Sequence, residues 1–395
     1  MSRSLKVVVA AAIAVILLSS GFIGGFLLAD NRLYLPSPAS APRDELLTDI
    51  NEVRRLLDRR ALTPPSETSV TAGIIQGLLD STGDDYAMYF DPQQFQEFSE
   101  DSMGEFGGIG VVLGEKNGSA YVVEVYEKTP AAKAKIKPND VFVAIDGVRR
   151  KKWATEEVVK RVRGEAGTDV ELVMLRPVKG HAKPEEYEVT ITRAMIEVPN
   201  VKSSLEGTVG YVRMNQFNMR SAEELRAEFE ALEKKGAKSF VLDLRNNPGG
   251  LLDQAISVSS LFVKSGTVVS VDERGREPVV HQVTGNTVTD APMVVLVNQN
   301  SASASEIVAG ALQDHKRATI VGATTFGKGS VQTVEELEDG GAVKFTIARY
   351  LTPNGRSIDG TGLTPDVVVE MDLALESDEK SDAQLQRALD VARSL

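Results

Sequence analysis

An alternation of apolar segments between about residues 201 and 370 indicates the fold class of the largest part of this chain. Uniformly apolar runs predict buried strands, and apolar residues at helical spacing predict helices between them. The predicted strands are Val209–Met214, Phe240–Leu244, Met293–Val297 and Thr319–Gly322, and the predicted helices are 221–235, Leu251–Val263 and Ser305–Asp314. This order predicts an α/β layer domain, in which functional groups gather on loops beyond the carboxyl ends of the strands.

The first of these helices has sequence signals at both ends. Ser221 and Glu224 have the spacing of a capping box. Gly236 follows the last apolar position, where glycine commonly ends a helix because it adopts a left-handed conformation at little cost. We therefore expect Ser221 to cap this helix and Gly236 to end it.

The first thirty residues carry a long uncharged segment. Residues Val7 to Ala29 are mostly apolar, and about 20 such residues span a bilayer as a helix. Arg3 and Lys6 precede this run, so the positive-inside rule places the rest of the chain outside the cytoplasm. We expect a signal-anchor helix over residues 1–30 of a single-pass protein of the inner (cytoplasmic) membrane, with the remaining domains periplasmic or otherwise extracytoplasmic. A cleaved signal peptide is the alternative, although Leu27-Leu28-Ala29 is a poor cleavage site.

The segments that follow differ in composition. A proline-rich linker at 31–43 leads into a helical region at 44–98. In that region Asp44–Arg60 and Thr71–Leu79 predict helices that have too little apolar area for a core of their own. Residues 99–180 predict strands around one helix, and therefore a small, partly open barrel. Its strands are Ile109–Leu113, Ala120–Val125, Asp140–Ile145 and Asp169–Leu175, and its helix is Thr155–Val162.

Charge and composition exclude several kinds of function. The formal net charge is −12 and no basic stripe is present, which disfavours nucleic acid because phosphate contacts need clustered Lys and Arg. The absence of cysteine excludes a thiol nucleophile and thiolate metal sites. His181, His281 and His315 do not have the spacing of metal ligands, so we expect no metal and no other cofactor.

Three loops after predicted strands carry candidate functional groups, at 245–250, 298–303 and 324–329. In the second loop, Ser303 precedes a helix whose dipole favours the negative charge that a serine develops when it attacks a carbonyl. The spacing from Ser303 to Glu306 is also that of an ordinary capping box, which remains the alternative.

A nucleophilic serine needs a base, and the histidines offer no obvious candidate. His315 lies at the far end of the predicted helix, about 16 Å from its start at 1.5 Å per residue. Lys328 follows the next strand between two glycines, and a buried lysine can act as a base because burial lowers its pKa. The sequence of segment 322–328 also nearly matches the phosphate-binding P-loop motif, but Gly329 stands where that motif needs Ser or Thr.

The loop after the second strand contains two adjacent glycines, Gly249 and Gly250, at the start of a predicted helix. Their exposed N–H groups suit an oxyanion hole, in which fixed donors stabilise a tetrahedral intermediate. An ordinary strand-to-helix turn is the alternative.

Five motifs occur in the order in which one enzyme family has them: FGGIG (106–110), DLRNNPGG (243–250), SASASEI (301–307), FGKGSVQ (326–332) and LTPNGRSI (351–358). On these motifs, residues 70–370 resemble the carboxyl-terminal processing peptidases, or tail-specific proteases, of peptidase family S41. The resemblance implies an α/β, ClpP/crotonase-like protease core over residues 190–370, with an inserted PDZ-like β-barrel at 99–180 and a helical region before it.

The resemblance also implies roles for individual residues. Ser303 matches the family's nucleophile, Lys328 its general base, and Gln332 the residue that orients this lysine. The backbone N–H groups of Gly249 and Ala304 match the oxyanion hole. Two acidic positions on the following helix match residues that support the site: Glu306 and Asp314.

The strand-rich block resembles a PDZ domain, in which a peptide adds as a strand beside the first strand of the barrel. The N–H groups of Gly108, Ile109 and Gly110 are implied to receive the terminal carboxylate of the peptide. Lys135 and Asn139 stand where the family usually has glycine. A left-handed conformation at Lys135 would cost about 1 kcal/mol.

Together these features predict a serine endopeptidase with a Ser–Lys dyad. It is expected to recognise protein C-termini through the PDZ domain and to cleave extracytoplasmic proteins near the C-terminus. The resemblance also implies homo-oligomers, with the acidic segment and final helix at 371–395 as one contact, and an adaptor protein as a further partner. The competing interpretation is a PDZ scaffold whose protease domain is inactive.

Overall fold

The computed structural model describes residues 42–178, 183–370 and 382–395. The anchor predicted at 7–29 lies outside the described residues, as do most of the predicted linker and of the acidic segment. Within the described ranges, no helix is both long and apolar enough to cross a membrane.

The chain divides into two compact units, residues 1–71 and 72–395. Helix α1 (Pro42–Arg60) belongs to the first unit, and helix α2 (Glu67–Asp80) begins there and ends in the second. These elements confirm the two helices predicted for this region. Several large apolar side chains of α1 are exposed, as expected of a segment without its own core: Leu46, Leu47, Val53, Leu56 and Leu57.

The described residues of the second unit form four sheets and several further helices. The strands are β1 (Met88–Phe90), β2 (Glu105–Gly108), β3 (Val111–Lys116), β4 (Ser119–Val125), β5 (Val141–Ile145), β6 (Val148–Arg149), β7 (Asp169–Arg176), β8 (Glu185–Thr192), β9 (Ala194–Glu197), β10 (Val201–Glu206), β11 (Val209–Met214), β12 (Ser239–Asp243), β13 (Thr267–Glu273), β14 (Val279–Gln282), β15 (Met293–Val297), β16 (Thr319–Gly322), β17 (Ser330–Glu336), β18 (Ala342–Leu351) and β19 (Val367–Val368). The helices are α3 (Pro92–Met103), α4 (Pro130–Lys133), α5 (Thr155–Val162), α6 (Ser221–Lys234), α7 (Leu252–Ser260), α8 (Ala304–Asp314) and α9 (Ala383–Ser394).

The predicted α/β layer domain is built on a six-stranded sheet in the order β10-β11-β12-β15-β16-β19. All pairs from β11 onward are parallel, and β10 is antiparallel to β11. Every residue of β12 and β15 is buried, because α6, α7 and α8 cover one face and α9 covers the other. The loops after β12, β15 and β16 therefore leave the sheet at the same edge.

A second, antiparallel sheet has the order β1-β18-β13-β14, and β17 also pairs with β18. In the β17–β18 pair, Gln332 lies opposite Thr346 and Val334 lies opposite Lys344. Because side chains alternate between the faces of a sheet, these four residues share one face. The loop that contains Lys328 connects β16 of the first sheet to β17 of the second.

The strand-rich block forms the predicted small barrel. Its sheet has the order β3-β4-β5-β7-β8, with β6 beside β5, and helix α5 contributes Val158 and Val162 to a core that also holds Trp153. Lys135 and Asn139 adopt φ angles of 61° and 73°. The two departures from glycine therefore both occupy left-handed positions, at a cost on the order of 1 kcal/mol each.

Two helix starts differ from the sequence-based expectations. The predicted Ser221 cap is wrong: Arg220 is the N-cap of α6, and the Ser221 hydroxyl instead accepts a bond from the Asn218 N–H. Helix α3 was not predicted, although Asp91 and Gln94 form a reciprocal capping box at its start. The predicted end of α6 is confirmed, because Gly236 follows the last turn with φ +100°.

Candidate active site

The three predicted loops meet in one cleft of about 730 Å³. Helix α3, the segment after β11, and strands β17 and β18 complete its walls, which are largely apolar. The cleft is lined by all five residues for which the resemblance implies a direct role in the reaction: Gly249, Ser303, Ala304, Lys328 and Gln332.

Ser303 stands at the turn from β15 into α8 in a conformation that residues with a side chain rarely adopt. Its φ and ψ angles are +52° and −113°, and such backbone strain costs on the order of 1–3 kcal/mol. Gly249 packs directly against this turn, because a Cβ at Gly249 would lie only 2.9 Å from the Cβ of Ser303. The close approach of the glycine turn to Ser303 brings two of the predicted loops together.

The two N–H groups implied as an oxyanion hole differ in their present bonding. Ala304 is the first residue of α8, so its N–H has no acceptor within the helix. The N–H of Gly249, in contrast, donates to Oδ1 of Asn247 at 3.0 Å. In this arrangement Ala304 offers a donor to the cleft, whereas the Gly249 donor is occupied by its own turn.

Glu306 connects the serine loop to the lysine loop. Its carboxylate is fully buried, and Oε2 accepts the backbone N–H groups of Ser303 and Lys328, each at 2.9 Å. Oε1 accepts the Gly327 N–H at 2.8 Å and the Thr325 hydroxyl at 2.5 Å. Burial raises the pKa of Glu306, while these four donors favour its charged form. Glu306 therefore makes the predicted capping contact with Ser303, and the same carboxylate also holds the loop that contains Lys328.

Lys328 is half-buried, and its ammonium lies 4.5 Å from the ring centroid of Tyr86. Burial lowers the pKa of Lys328, and the nearby positive charge of Lys344 lowers it further, while Asp84 and Glu306 oppose this change. A lysine with a lowered pKa is more often neutral and can accept a proton. Among the hydrogen bonds of the described residues, none joins the ammonium of Lys328 to the hydroxyl of Ser303.

Two of the implied supporting residues make contacts other than those expected. Gln332 donates to the hydroxyls of Ser330 at 2.8 Å and Thr346 at 3.3 Å, and no hydrogen bond joins it to Lys328 among the described residues. Asp314 lies at the far end of α8, where it accepts the Asn354 N–H and pairs with Arg356. Its contacts hold the turn after β18 and not the cleft itself.

Sequence reasoning missed several side chains around the cleft. The Tyr350 hydroxyl donates to the carbonyl oxygens of both Ser303 and Lys328. Phe98 and Met103 of α3 and Lys344 of β18 line the cleft. The Asp91–Gln94 capping box was an available signal for α3, whereas nothing in the sequence distinguishes Tyr350 and Lys344 from other alternating residues of a long strand.

A buried cluster of ion pairs lies next to the turn that contains Gly249 and Gly250. Arg245 is almost fully buried and pairs with Asp243 at 2.7 Å and with Asp382, just before α9, at 2.9 Å. The Tyr211 hydroxyl also donates to Asp243 at 2.7 Å. This cluster ties the end of the chain to the residue that precedes the Asn246–Gly250 turn.

The residues of the barrel that are implied to bind a carboxylate do not line this cleft. Gly108 pairs with Ala194 at the end of β2, Ile109 is buried in the barrel core, and Gly110 has φ +86° before β3. A Cβ at Gly110 would lie 2.4 Å from Thr129. The loop is therefore tightly packed, and β3 beside it is an edge strand of its sheet.

Within the described part of the chain, no group of three or more metal-binding side chains is arranged to hold an ion.

Comparison with family models and relatives identifies the two larger parts of the chain. Residues 208–369 match the model of peptidase family S41, and residues 121–176 match a PDZ domain. A carboxy-terminal-processing protease from Bartonella bacilliformis is 42% identical over 318 residues, which cover 79% of this chain and 72% of that protein. A protein from Staphylococcus aureus described as a probable CtpA-like serine protease is 36% identical over 82% of this chain and 65% of its own length.

A comparison of solved structures agrees on the fold. The crystal structure of a Bacteroides fragilis protein assigned to the S41 proteases aligns with a TM-score of 0.51 and 17% sequence identity. The alignment covers 87% of this chain and 97% of that one. At this identity the likeness concerns the arrangement of helices and strands alone.

Proposed function

Because the chain belongs to peptidase family S41 and is a carboxy-terminal-processing serine protease by its relatives, we propose that it hydrolyses peptide bonds with a dyad of Ser303 and Lys328. The observation that carries this proposal is the meeting of Ser303, the half-buried Lys328 and the free Ala304 N–H in one cleft. A nucleophile, a base with a lowered pKa and an oxyanion donor are the parts that acyl transfer requires.

In the proposed reaction, neutral Lys328 removes the proton from the Ser303 hydroxyl as Oγ bonds to the carbonyl carbon of the substrate. The carbonyl oxygen becomes an oxyanion that accepts the Ala304 N–H. The C–N bond then breaks, and the ammonium of Lys328 returns its proton to the leaving amine. Water attacks the resulting ester, with Lys328 again as the base, and releases the acid and the free serine.

The present contacts describe a resting arrangement of this site. The Gly249 N–H is bound to Asn247, and Lys328 lies over Tyr86. A second oxyanion donor and a Ser303–Lys328 hydrogen bond require both groups to move. We attribute that movement to substrate binding, because catalytic hydrogen bonds often tighten only once the substrate is in place. Gln332, which also lines the cleft, takes its implied orienting role in that state.

The PDZ domain is proposed to bind the C-terminus of the substrate and to direct upstream residues to the cleft. Two features support this role: the edge strand β3, to which a peptide can add as a further strand, and the adjoining loop that contains Gly108, Ile109 and Gly110. The mixed sheet of the protease region also supports the ClpP/crotonase-like assignment of the core. Cleavage near the C-terminus of the substrate is part of this proposal.

We propose that the chain is anchored in the cytoplasmic membrane by residues 7–29, with its protease and PDZ domains on the extracytoplasmic side. The uncharged run and the preceding Arg3 and Lys6 support this topology. Protease protection in membrane vesicles of known orientation tests it. Digestion of the domains in vesicles that expose the extracytoplasmic face agrees with the proposal, and digestion only in vesicles of the opposite orientation contradicts it.

Assembly into homo-oligomers is also proposed, through the helical ends of the chain. The exposed apolar side chains of α1 support a contact of this kind. An adaptor protein that completes the active arrangement fits the resting state described above. Light scattering of the purified chain tests assembly, and a purely monomeric species at micromolar concentration contradicts it.

The activity itself is tested with unfolded β-casein, using the full-length chain in mild detergent beside Ser303→Ala and Lys328→Ala. We expect cleavage by the wild-type chain and loss of turnover in both variants, with unchanged thermal unfolding. Cleavage by Ser303→Ala would contradict the assigned nucleophile. A wild-type chain that binds C-terminal peptides but cleaves neither casein nor those peptides would support the scaffold interpretation instead.

A further inference from the structure

A second lysine, Lys344 of β18, lines the cleft together with Ser303 and Lys328. Its partner in the β17–β18 register is Val334, and the next pair on the same face is Gln332 with Thr346. Neighbouring pairs on one face are about 7 Å apart along a strand. Lys344 therefore stands one step beyond Gln332 on the same wall of the cleft.

Lys344 lacks a close anionic partner among the described residues. Its ammonium lies 5.5 Å from the ring centroid of Phe90. Asp84 is the nearby carboxylate, but its two oxygens already accept the N–H and hydroxyl of Thr346 and the Tyr86 N–H. Asp84 therefore attracts Lys344 from a distance, and among the described residues no ion pair or hydrogen bond joins the two side chains.

The other charged side chains of the cleft do not neutralise Lys344. Lys328 has the same sign, and in the proposed reaction it must be neutral before attack. Asp101 lines the opposite side, on α3, and is exposed. Glu306 does not line the cleft, and its carboxylate accepts four hydrogen bonds. When Lys328 is neutral, Lys344 is the remaining cationic side chain among the described residues that line the cleft.

We propose that Lys344 binds a carboxylate of the substrate within a few residues of the scissile bond. An ammonium on a largely apolar wall, with no described side chain in an ion pair with it, favours an anionic group that also loses its water there. The carboxylate is supplied either by the free C-terminus of the segment to be released or by an Asp or Glu side chain. This inference rests on the proposed protease function and adds a substrate preference to it.

Four fluorogenic peptides of one apolar sequence test the proposal. They differ only in a C-terminal acid or amide, and in Glu or Gln at one position on the leaving side. The full-length chain is compared with Lys344→Met, Lys344→Arg and the control Lys264→Met, a lysine that pairs with Asp290 on the surface. The value of kcat/KM is measured for each peptide.

In one of the two peptide pairs, acid–amide or Glu–Gln, we expect the wild-type chain to cleave the peptide with the extra carboxylate about tenfold more efficiently than its neutral partner. The gain should come mainly from a lower KM, because Lys344 binds the ground state and the transition state alike. In Lys344→Met a Glu–Gln preference should vanish, and an acid–amide preference should fall about tenfold, to the part that the PDZ domain contributes. Both should persist in Lys344→Arg and Lys264→Met. A Lys344-dependent preference in the acid–amide pair identifies the C-terminus as the source of the carboxylate, and one in the Glu–Gln pair identifies a side chain.

Two results would overturn the inference. One is equal cleavage of all four peptides by the wild-type chain. The other is a carboxylate preference that is as large in Lys344→Met as in the wild-type chain, which would assign it to groups other than Lys344, such as the PDZ loop. In both results peptides are cleaved, so the proposed protease function stands. Absence of cleavage of every peptide and of β-casein is the separate outcome that rejects that function.

Discussion

Oε2 of Glu306 lies 2.9 Å from the backbone nitrogen of Lys328, and the same oxygen accepts the N–H of Ser303. One buried atom therefore fixes the backbone of the proposed base and of the proposed nucleophile. The Tyr350 hydroxyl contacts the carbonyl oxygens of the same two residues. Ser303 and Lys328 come from loops that follow different strands, and these two side chains set the distance between them.

Glu306→Gln tests this shared anchor. The amide N–H₂ of glutamine would face N–H or O–H donors at one of the two carboxylate positions, and an unsatisfied buried donor costs about 1–3 kcal/mol. We expect a lower melting temperature and a loss of kcat of about 100-fold, since a misplacement of about 1 Å has that effect.

Glu223→Gln is the matched control, because Glu223 also lies in the first turn of a helix but is exposed. It should cost well under about 1 kcal/mol. A Glu306→Gln variant with normal kcat would show that the two loops hold their positions without the carboxylate.

The charges around Lys328 predict pH effects of opposite sign in two variants. Asp84 raises and Lys344 lowers the pKa of Lys328, and the further acidic neighbour is Glu306. Lys328 must be neutral to act, so kcat/KM should rise with pH through the pKa of Lys328. Asp84→Asn should move this limb to lower pH, and Lys344→Met should move it to higher pH.

The measurement is the pH profile of kcat/KM for an uncharged peptide amide, which avoids any effect on carboxylate binding. A shift of both variants in the same direction would contradict the assignment of the limb to Lys328. The free energy of unfolding also depends on the pKa of Lys328, because the unfolded chain keeps Lys328 protonated to higher pH than the folded chain does. Its contribution to the free energy of unfolding therefore increases as pH rises between the two pKa values.

Gly249→Ala is expected to damage the site through contact and not only through backbone strain. An added Cβ would lie 2.7 Å from the Ala302 carbonyl oxygen and 2.9 Å from the Ser303 Cβ, at φ +97°. Gly275 also has a positive φ of +75° but nothing within 4 Å of an added Cβ. Gly275→Ala therefore isolates the backbone cost of about 1–2 kcal/mol.

We expect both variants to lose stability and only Gly249→Ala to lose activity, by about 10²-fold or more if its N–H completes the oxyanion hole. Thermal unfolding and kcat on one peptide measure the two effects. Equal activity of the two variants would remove Gly249 from the site.

Much of the fold was predictable because burial leaves a strong local signal. Met293–Val297 and Thr319–Gly322 are strands with the predicted bounds, since both are apolar runs inside a covered sheet. The Ser221 cap was wrong because the serine hydroxyl accepts the backbone N–H of Asn218, in the loop before the helix, and not an N–H of the first helical turn. A capping motif can be recognised in sequence, whereas its competition with a loop residue cannot.

The candidate site also combines features that the sequence shows with features that depend on how the chain folds. The motifs around Ser303 and Lys328 were recognisable, and the chain brings them to one cleft. The bond from Gly249 to Asn247 depends on the side-chain conformation of one turn. Lys344 reaches the cleft only because β17 and β18 pair in a particular register. Such positions follow from pairing between distant segments, which a single sequence does not display.

The ion pair between Arg245 and Asp382 predicts that the end of the chain stabilises the catalytic core. Both side chains are almost fully buried, and Arg245 Nη2 lies 2.9 Å from Asp382. Removing one partner of a buried pair leaves an uncompensated charge, so Asp382→Ala should lower the free energy of unfolding by about 3–5 kcal/mol. The control is Asp390→Ala on α9, which removes an exposed pair with Arg393 and should cost about 0–1 kcal/mol. Urea unfolding measures both. Because Arg245 immediately precedes the Asn246–Gly250 turn, Asp382→Ala should also lower kcat at urea concentrations below the unfolding midpoint. An Asp382→Ala variant as stable and active as the Asp390→Ala control would show that Asp243 alone suffices to hold Arg245.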